Sequence, residues 1–88
     1  MIHIRGIVVK HFAEIYIEVM KSKLSERLKS LRAEKGIAQQ KFADDVGLSA
    51  GFVAMIETNR KSVSIETLII FAEYFKVSSD YLIGLRDD

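Results

Sequence analysis

The fold is decided by the stretch QQKFADDVGLSAGFVAMIETN, residues 39–59. Its apolar residues recur at the spacing of two short helices: Phe42, Ala43, Val46, Val53 and Ile56. Gly47 can take the left-handed backbone conformation that ends the first helix, and Ser49 can cap the start of the second. Asn59 can end the second helix in the same conformation. The stretch therefore predicts two short helices joined by a tight turn.

The flanking sequence predicts three more helices. The residues that would face the core on either side are Leu24, Leu28 and Leu31, and then Leu68, Phe71, Ala72 and Phe75. Gly36 is placed to end the first helix, and Ser64 is placed to cap the fourth. Ser78 or Ser79 can open a last short turn that runs to Gly84. Residues 21–88 are therefore expected to form a five-helix, all-α domain.

Composition limits the function classes. The chain has 88 residues, of which 49% are hydrophobic and 28% charged, and it contains no cysteine. These values predict one small globular domain without disulfides or thiolate metal sites, suited to a reducing cytoplasm. His3 and His11 are too far apart to be neighbouring metal ligands. No serine has a triad-like partner pattern, and no glycine-rich phosphate loop occurs. We expect neither an enzyme nor a metal, cofactor or small-molecule ligand.

Charge is distributed unevenly along the chain, although the net charge is only +1. Residues 21–36 carry six basic and two acidic side chains, which gives +4. Residues 63–88 carry two basic and five acidic side chains, which gives −3. The basic segment suits an anionic partner such as nucleic acid, or it is only a solvated helix face. The longest apolar stretches of the chain fall short of the roughly 20 residues that span a bilayer, so we expect no membrane partner.

Residues 1–20, called the arm below, depart from the helical pattern. Their β-branched residues partly alternate: Ile2, Ile4, Ile7, Val8, Val9, Ile15, Ile17 and Val19. One interpretation is a β-hairpin of strands 2–9 and 14–20, whose apolar face would need its own domain or a second subunit. A competing interpretation places Phe12, Ile15, Tyr16 and Val19 on one face of a helix continuous with the first. A third makes Met20 an alternative start and the preceding residues dispensable.

Residues 23–85 resemble a known family. The residues that carry the resemblance are Arg27-Leu28, Leu31-Arg32, Lys35-Gly36-Ile37, Gln39, Phe42-Ala43, Val46-Gly47-Leu48-Ser49, Val53, Ile56-Glu57, Ser64-Ile65-Glu66-Thr67-Leu68, Ala72, Phe75, Val77-Ser78, Asp80-Tyr81-Leu82 and Gly84. In this order and spacing they are similar to the Cro and phage-repressor type of helix-turn-helix protein, often called Xre-like.

The resemblance implies a five-helix, lambda-repressor-like domain in a small dimeric transcriptional regulator, a repressor that binds double-stranded DNA at a palindromic operator. The third helix would lie in the major groove and the second would cross the backbone. The DNA-facing residues it implies are Gln39, Gln40, Ser49, Ala50, Gly51, Ala54, Met55, Asn59, Arg60 and Lys61. We expect the homodimer contact in the arm, in the last turn (Tyr81, Leu82, Ile83 and Leu85), or in both.

Several positions depart from the family pattern. Ala38 replaces a capping Ser or Thr, and Val63 replaces a proline. Ala50, Gly51, Ala54 and Met55 offer bases no side-chain hydrogen bond, so DNA would be read through thymine methyl groups and DNA shape. Alternatively, an exposed Phe52, Val53 and Met55 cluster makes the third helix a protein-interaction module, such as an antitoxin-like or anti-repressor partner. Glu57 is expected to be structural and to pair with Arg27 or Arg32.

Overall fold

The computed structural model describes residues 2–88, with side chains from Val9 onward. In this range the chain forms five helices and no strand: α1 (Ile2–Lys35), α2 (Gln39–Val46), α3 (Ala50–Glu57), α4 (Ile65–Phe75) and α5 (Ser79–Leu82). The all-α, five-helix prediction is confirmed for the domain. No helix of the described residues has the length and apolar character that crossing a membrane requires.

The β-hairpin interpretation of the arm is wrong. Helix α1 runs without a break through both predicted strands, 2–9 and 14–20. No proline or glycine interrupts the chain between Gly6 and Gly36, so a helix nucleated in the domain can extend toward the N-terminus. An isolated two-stranded hairpin, by contrast, is marginal in water, and this arm lacks a favourable turn sequence. Continuity with a packed helix therefore outweighs the β-branched composition.

The helix ends follow the predicted local chemistry. Ser49, Ser64 and Ser78 accept backbone N–H bonds from the residue three positions on, at 3.0–3.1 Å. Gly47 and Asn59 have positive φ angles of 74° and 60°. These caps satisfy backbone groups that a helix leaves unpaired at its ends. They also set the short connections on which the packing of α2, α3 and α4 depends.

The core lies between α1 and the four shorter helices. Phe42 is at its centre and is fully buried, with ring centroids of Phe71, Tyr74 and Phe75 at 5.1–5.2 Å. The other buried apolar residues are Leu24, Leu28, Leu31, Ala43, Val53, Ile56, Ala72 and Leu82. The leucine stripe of α1 is thus confirmed as the core-facing side. Leu82, expected in the last-turn dimer contact, is instead fully buried in the core of its own chain.

Arg27 fixes the C-terminal segment to α1. Its guanidinium donates to the backbone carbonyls of Tyr81 and Arg86 and lies 4.3 Å from the centroid of the Tyr81 ring. This contact combines charge-assisted hydrogen bonds with a cation–π interaction. Tyr81 and Ile83 are half-buried, and of the four last-turn residues only Leu85 is largely exposed.

Candidate nucleic-acid interface

Packing of α3 determines which of its residues face solvent. Val53 and Ile56 are buried against the core, and Glu57 is only 2% exposed. The turn that precedes α3 is held by the Leu48 N–H, which donates to the Ala43 carbonyl at 2.9 Å. Because one side of this short helix is fixed inward, Gly51 and Met55 face outward.

The sequence-predicted site residues divide into two groups by exposure. Seven are exposed: Gln40, Ser49, Gly51, Met55, Asn59, Arg60 and Lys61. Gln39, Ala50 and Ala54 are half-buried, and Ala50 packs against the core. The ten residues come from three segments: the start of α2, the α3 helix with its cap, and the loop after α3. None of them belongs to the fully buried core, so all remain candidates for contact with a ligand.

Glu57 joins the start of α2 to the end of α3. Its carboxylate accepts two hydrogen bonds from Arg32, at 2.8 and 2.9 Å, and one from the Gln39 amide at 3.0 Å. The pairing of Glu57 with Arg32 is confirmed, whereas Arg27 is used at the C-terminus. Burial alone would raise the pKa of Glu57, but the hydrogen bonds from Arg32 and Gln39 outweigh burial and hold that pKa below its usual value.

Two residues of α1 hold α3 from the same side. Arg32 contacts Glu57, and the buried Ser25, two helical turns earlier, donates its hydroxyl to the Ile56 carbonyl. Sequence reasoning missed Ser25, because a serine in a basic helix is usually exposed. Its position on the leucine stripe, next to Leu24 and one turn before Leu28, is the signal that could have identified it. Together these contacts fix the C-terminal end of α3 on the domain.

The loop after α3 is closed by local hydrogen bonds. The Thr58 hydroxyl donates to the Ala54 carbonyl at 2.9 Å, and the Arg60 N–H donates to the Met55 carbonyl at 2.8 Å. Because Asn59 has a left-handed backbone conformation, the chain turns back so that the Arg60 N–H can reach the Met55 carbonyl. Within the described residues, Arg60 and Lys61 have no salt-bridge partner. The loop therefore presents two exposed cations next to α3.

The start of α2 differs from the other capped helices. Ala38 has the extended backbone of a capping residue, but it makes no side-chain cap hydrogen bond because its methyl group has no acceptor atom. First-turn N–H groups of α2 are thus left for water or an external acceptor. The neighbouring Gln40 is less available, because its amide donates to the Asp44 carboxylate at 2.8 Å. A phosphate near Gln40 would also meet the negative charge of Asp44.

Hydrogen-bonding capacity on the outward side of α3 is small. Ser49 uses its oxygen to accept the Phe52 N–H at 3.0 Å, which leaves its hydroxyl proton free to donate. Ala50, Gly51, Ala54 and Met55 contribute only apolar groups. In the described part of the chain, no group of three histidine or acidic side chains could hold a metal ion. The side chain of His3 lies outside the described residues.

Comparison with known proteins identifies relatives of this domain. The family described as helix-turn-helix matches residues 28–82, more than half of the chain. The chain is 30% identical over 63 residues to the uncharacterized HTH-type transcriptional regulator YobD of Bacillus subtilis, covering 72% of this chain and 56% of YobD. It is 31% identical over 55 residues to the HTH-type transcriptional regulator PrpR of Mycobacterium tuberculosis, covering 62% of this chain and 11% of PrpR. The chain thus spans about half of one curated relative and a small part of the other. No solved structure matches it.

Proposed function

The chain belongs to the helix-turn-helix family, and on that premise we propose that it is a transcriptional regulator that binds double-stranded DNA. The proposed interface consists of the start of α2, the outward side of α3 and the loop residues Asn59, Arg60 and Lys61. The two relatives named above are themselves described as transcriptional regulators. In this proposal α3 enters the major groove, and the start of α2 and the loop contact phosphates on either side.

The observation that carries the proposal is the combination of a fixed α3 with exposed cations beside it. Glu57, the acid nearest in sequence to Arg60 and Lys61, is 2% exposed and hydrogen-bonded to Arg32. Its charge is therefore compensated inside the domain. Arg60 and Lys61 remain exposed in a loop that backbone hydrogen bonds hold against α3. Such preorganised cations supply the salt-dependent part of DNA affinity.

Base recognition by α3 would be mostly apolar. A bidentate hydrogen bond to a base is worth about 1–3 kcal/mol of discrimination, and Ala50, Gly51, Ala54 and Met55 cannot make one. Ala50, Ala54 and Met55 instead offer methyl groups that fit against thymine methyls. DNA shape and the Ser49 hydroxyl would supply the remaining discrimination. We therefore propose modest sequence specificity per domain, with phosphate contacts providing most of the affinity.

Burial weakens the protein-interaction interpretation of α3. That interpretation needs an exposed apolar cluster of Phe52, Val53 and Met55. Val53 is fully buried, Phe52 is half-buried and packs against the core, and Met55 is 38% exposed. One partly exposed methionine does not form the central apolar patch of a protein interface. The α3 surface therefore favours DNA.

The finer parts of the proposal concern assembly and regulatory effect. We propose that two copies bind a palindromic operator, because each domain alone has few base contacts and a second half-site multiplies the discrimination. Binding of this kind represses transcription when the operator overlaps a promoter. The absence of cysteine fits action in a reducing cytoplasm.

Replacing both loop cations tests the proposed interface. The Arg60→Ala/Lys61→Ala variant should bind every duplex more weakly, by roughly tenfold at low salt. Each lost phosphate contact removes about 0.9 from the slope of log affinity against log salt, so the slope should become shallower by about two for each bound domain and by about four for the proposed dimer. Fluorescence anisotropy with labelled duplexes over a range of salt concentrations measures both quantities.

The control removes two cations far from the proposed interface. Lys10→Ala/Arg86→Ala changes the net charge equally, in the arm and in the C-terminal segment. It should leave the salt slope unchanged. Equal slopes for the two double variants would show that Arg60 and Lys61 do not contact phosphates, which contradicts the proposal.

A further inference from the structure

We propose that the arm pairs in antiparallel orientation with the arm of a second copy, through a face made by Val9, Phe12, Tyr16 and Val19. The inference rests on the dimeric part of the proposed function and specifies where the dimer forms. These side chains are 67%, 62%, 60% and 53% exposed. Their positions follow the i, i+3, i+7, i+10 spacing of a helix-pairing stripe. Ala13, Ile15 and Met20 lie beside the stripe.

A line of charged residues lies on the side of α1 opposite this face. Lys10, Glu14, Glu18 and Lys21 follow one another at helical spacing and form a single line along α1, with Glu18 and Lys21 in contact at 3.6 Å. The arm is therefore amphipathic in a direction unrelated to the core of its own domain, which begins at Leu24. A lone helix with so many exposed β-branched and aromatic residues is poorly stabilised in water.

The exposed area matches the contribution of one subunit to a dimer. A compact monomer of 10.0 kDa exposes about 5,200 Å², whereas this chain exposes 6029 Å². The excess of about 800 Å² equals the share of each partner in an interface of standard size. The chain thus exposes, beyond a compact monomer, about as much area as each partner buries in a stable dimer, and the apolar composition of the exposed residues of the arm fits a permanent contact.

The stripe is self-complementary in antiparallel orientation. With the two-fold axis at the level of position 14 along the helix, Val9 of one copy lies opposite Val19 of the other, and Phe12 lies opposite Tyr16. A C2 interface requires this kind of reciprocity. Parallel pairing would place the two segments 21–36, each with a charge of +4, side by side. Charge repulsion between these segments favours the antiparallel arrangement.

An apolar groove lies where the partner arm would reach. The groove is between α1 and the α4–α5 side of the domain, has a volume of about 200 Å³, and is lined by Ile17, Met20, Leu24, Val63, Leu68 and Ile83, together with Lys21 and Ser62. In the register centred on Glu14, Met20 lies opposite position 8 of the second copy. The partner arm would therefore cover the groove as well as the stripe.

The charges of the arm argue against a lipid surface as the occupant. Interfacial helices that bind anionic membranes carry an excess of Lys and Arg on their polar side. The charged line here has two basic and two acidic residues and no net charge. A second copy of the chain accounts for the apolar face and needs no such excess.

Sedimentation of the full chain without DNA tests the location of the contact. The wild type should sediment at twice the 10.0 kDa chain mass. Phe12→Glu/Tyr16→Glu should raise the dimer dissociation constant at least about a hundredfold, because buried aromatic residues dominate interfaces. Lys10→Glu adds the same two units of negative charge on the opposite side and should remain dimeric. A monomeric wild type, or a dimeric Phe12→Glu/Tyr16→Glu variant, overturns the proposal.

Cysteine cross-linking tests the orientation, and the chain has no natural cysteine to interfere. Val9→Cys and Val19→Cys chains, mixed and oxidised, should form mainly the mixed disulfide. Like residues would be about 15 Å apart along the helix, beyond the roughly 7 Å that a disulfide allows. Disulfides between like chains alone would show parallel pairing and overturn the antiparallel arrangement. Neither measurement uses DNA, so failure here leaves the Arg60 and Lys61 test of the proposed function unaffected.

Discussion

Glu57 shows how a single buried residue can position the proposed DNA-binding surface without being part of it. Its carboxylate lies among Arg32 of α1, Gln39 of α2 and the end of α3. A buried ion pair is weak evidence for net stabilisation, but breaking one is costly because the remaining charge loses its partner. The main role of the Glu57–Arg32 ion pair is therefore to fix the position of α3 on the domain. That position determines the orientation of Ala54, Met55 and the following loop.

Replacing Glu57 with glutamine should destabilise the domain by about 2 kcal/mol at pH 7, because Arg32 loses its counter-charge. The pKa of Glu57 in the folded state is lower than in the unfolded state. Its contribution is therefore fully present above about pH 4.3 and is lost as pH falls through the folded-state pKa. The stability difference between wild type and Glu57→Gln should narrow over this acid range.

Urea denaturation from neutral to acid pH measures this difference. Glu34→Gln, at an exposed acid of α1, is the matched control and should follow the wild type throughout. A Glu57→Gln variant as stable as the control at pH 7 would show that the ion pair does not hold α3.

At the scale of helices, local sequence patterns predicted the capped ends of the helices better than they predicted the length of α1. Serine caps and the positive φ angles of Gly47 and Asn59 depend on neighbouring residues alone, and the sequence located them correctly. The β-hairpin interpretation of the arm is wrong because β-branched residues form strands only when another strand is available to pair, whereas the competing interpretation, a helix continuous with the first, is confirmed. Contacts between distant elements, such as Gln39 with Glu57, follow from packing that no local pattern contains. Leu82 was placed outward because a single-turn helix has no periodicity to distinguish its sides.

The contact between α1 and the C-terminal turn depends on Gly84. Its φ angle is 84°, and a Cβ at this position would lie 2.6 Å from Cγ of Lys23. Gly84→Ala should therefore destabilise the domain by about 1–3 kcal/mol, through backbone strain and the displaced lysine.

Gly51 provides the opposite case within the same chain. It lies in helix α3, and a Cβ there would meet no atom within 4 Å. Gly51→Ala should stabilise the domain by about 0.5 kcal/mol. Thermal unfolding followed by circular dichroism compares both variants with the wild type. A Gly84→Ala variant that melts with or above the wild type would contradict the close approach of α1 to this turn.

At the scale of the whole molecule, the apolar face of the arm and the α2–α3 surface lie in different parts of an elongated chain. It measures 52 × 27 × 19 Å, with the apolar arm at the start of α1 and the cationic loop on the α2–α3 side of the domain. Family membership and the location of the α2–α3 surface could be inferred from the sequence. The secondary structure of the arm could not be inferred from the sequence, because the same apolar residues suit a strand or a helix until continuity with the domain is known. In the proposed dimer, the arm brings in a second domain, which binds the second half-site that weak base contacts require.

Selection of bound duplexes from random DNA by the 88-residue chain at low salt tests most directly whether the α2–α3 surface binds double-stranded DNA. Duplexes should be retained, and enriched sequences should contain two inverted half-sites with A·T pairs at the positions that α3 faces, since thymine methyls match its apolar residues. Enrichment should be lost for the Arg60→Ala/Lys61→Ala variant. Failure of the folded wild-type chain to retain any duplex at low salt would contradict the account.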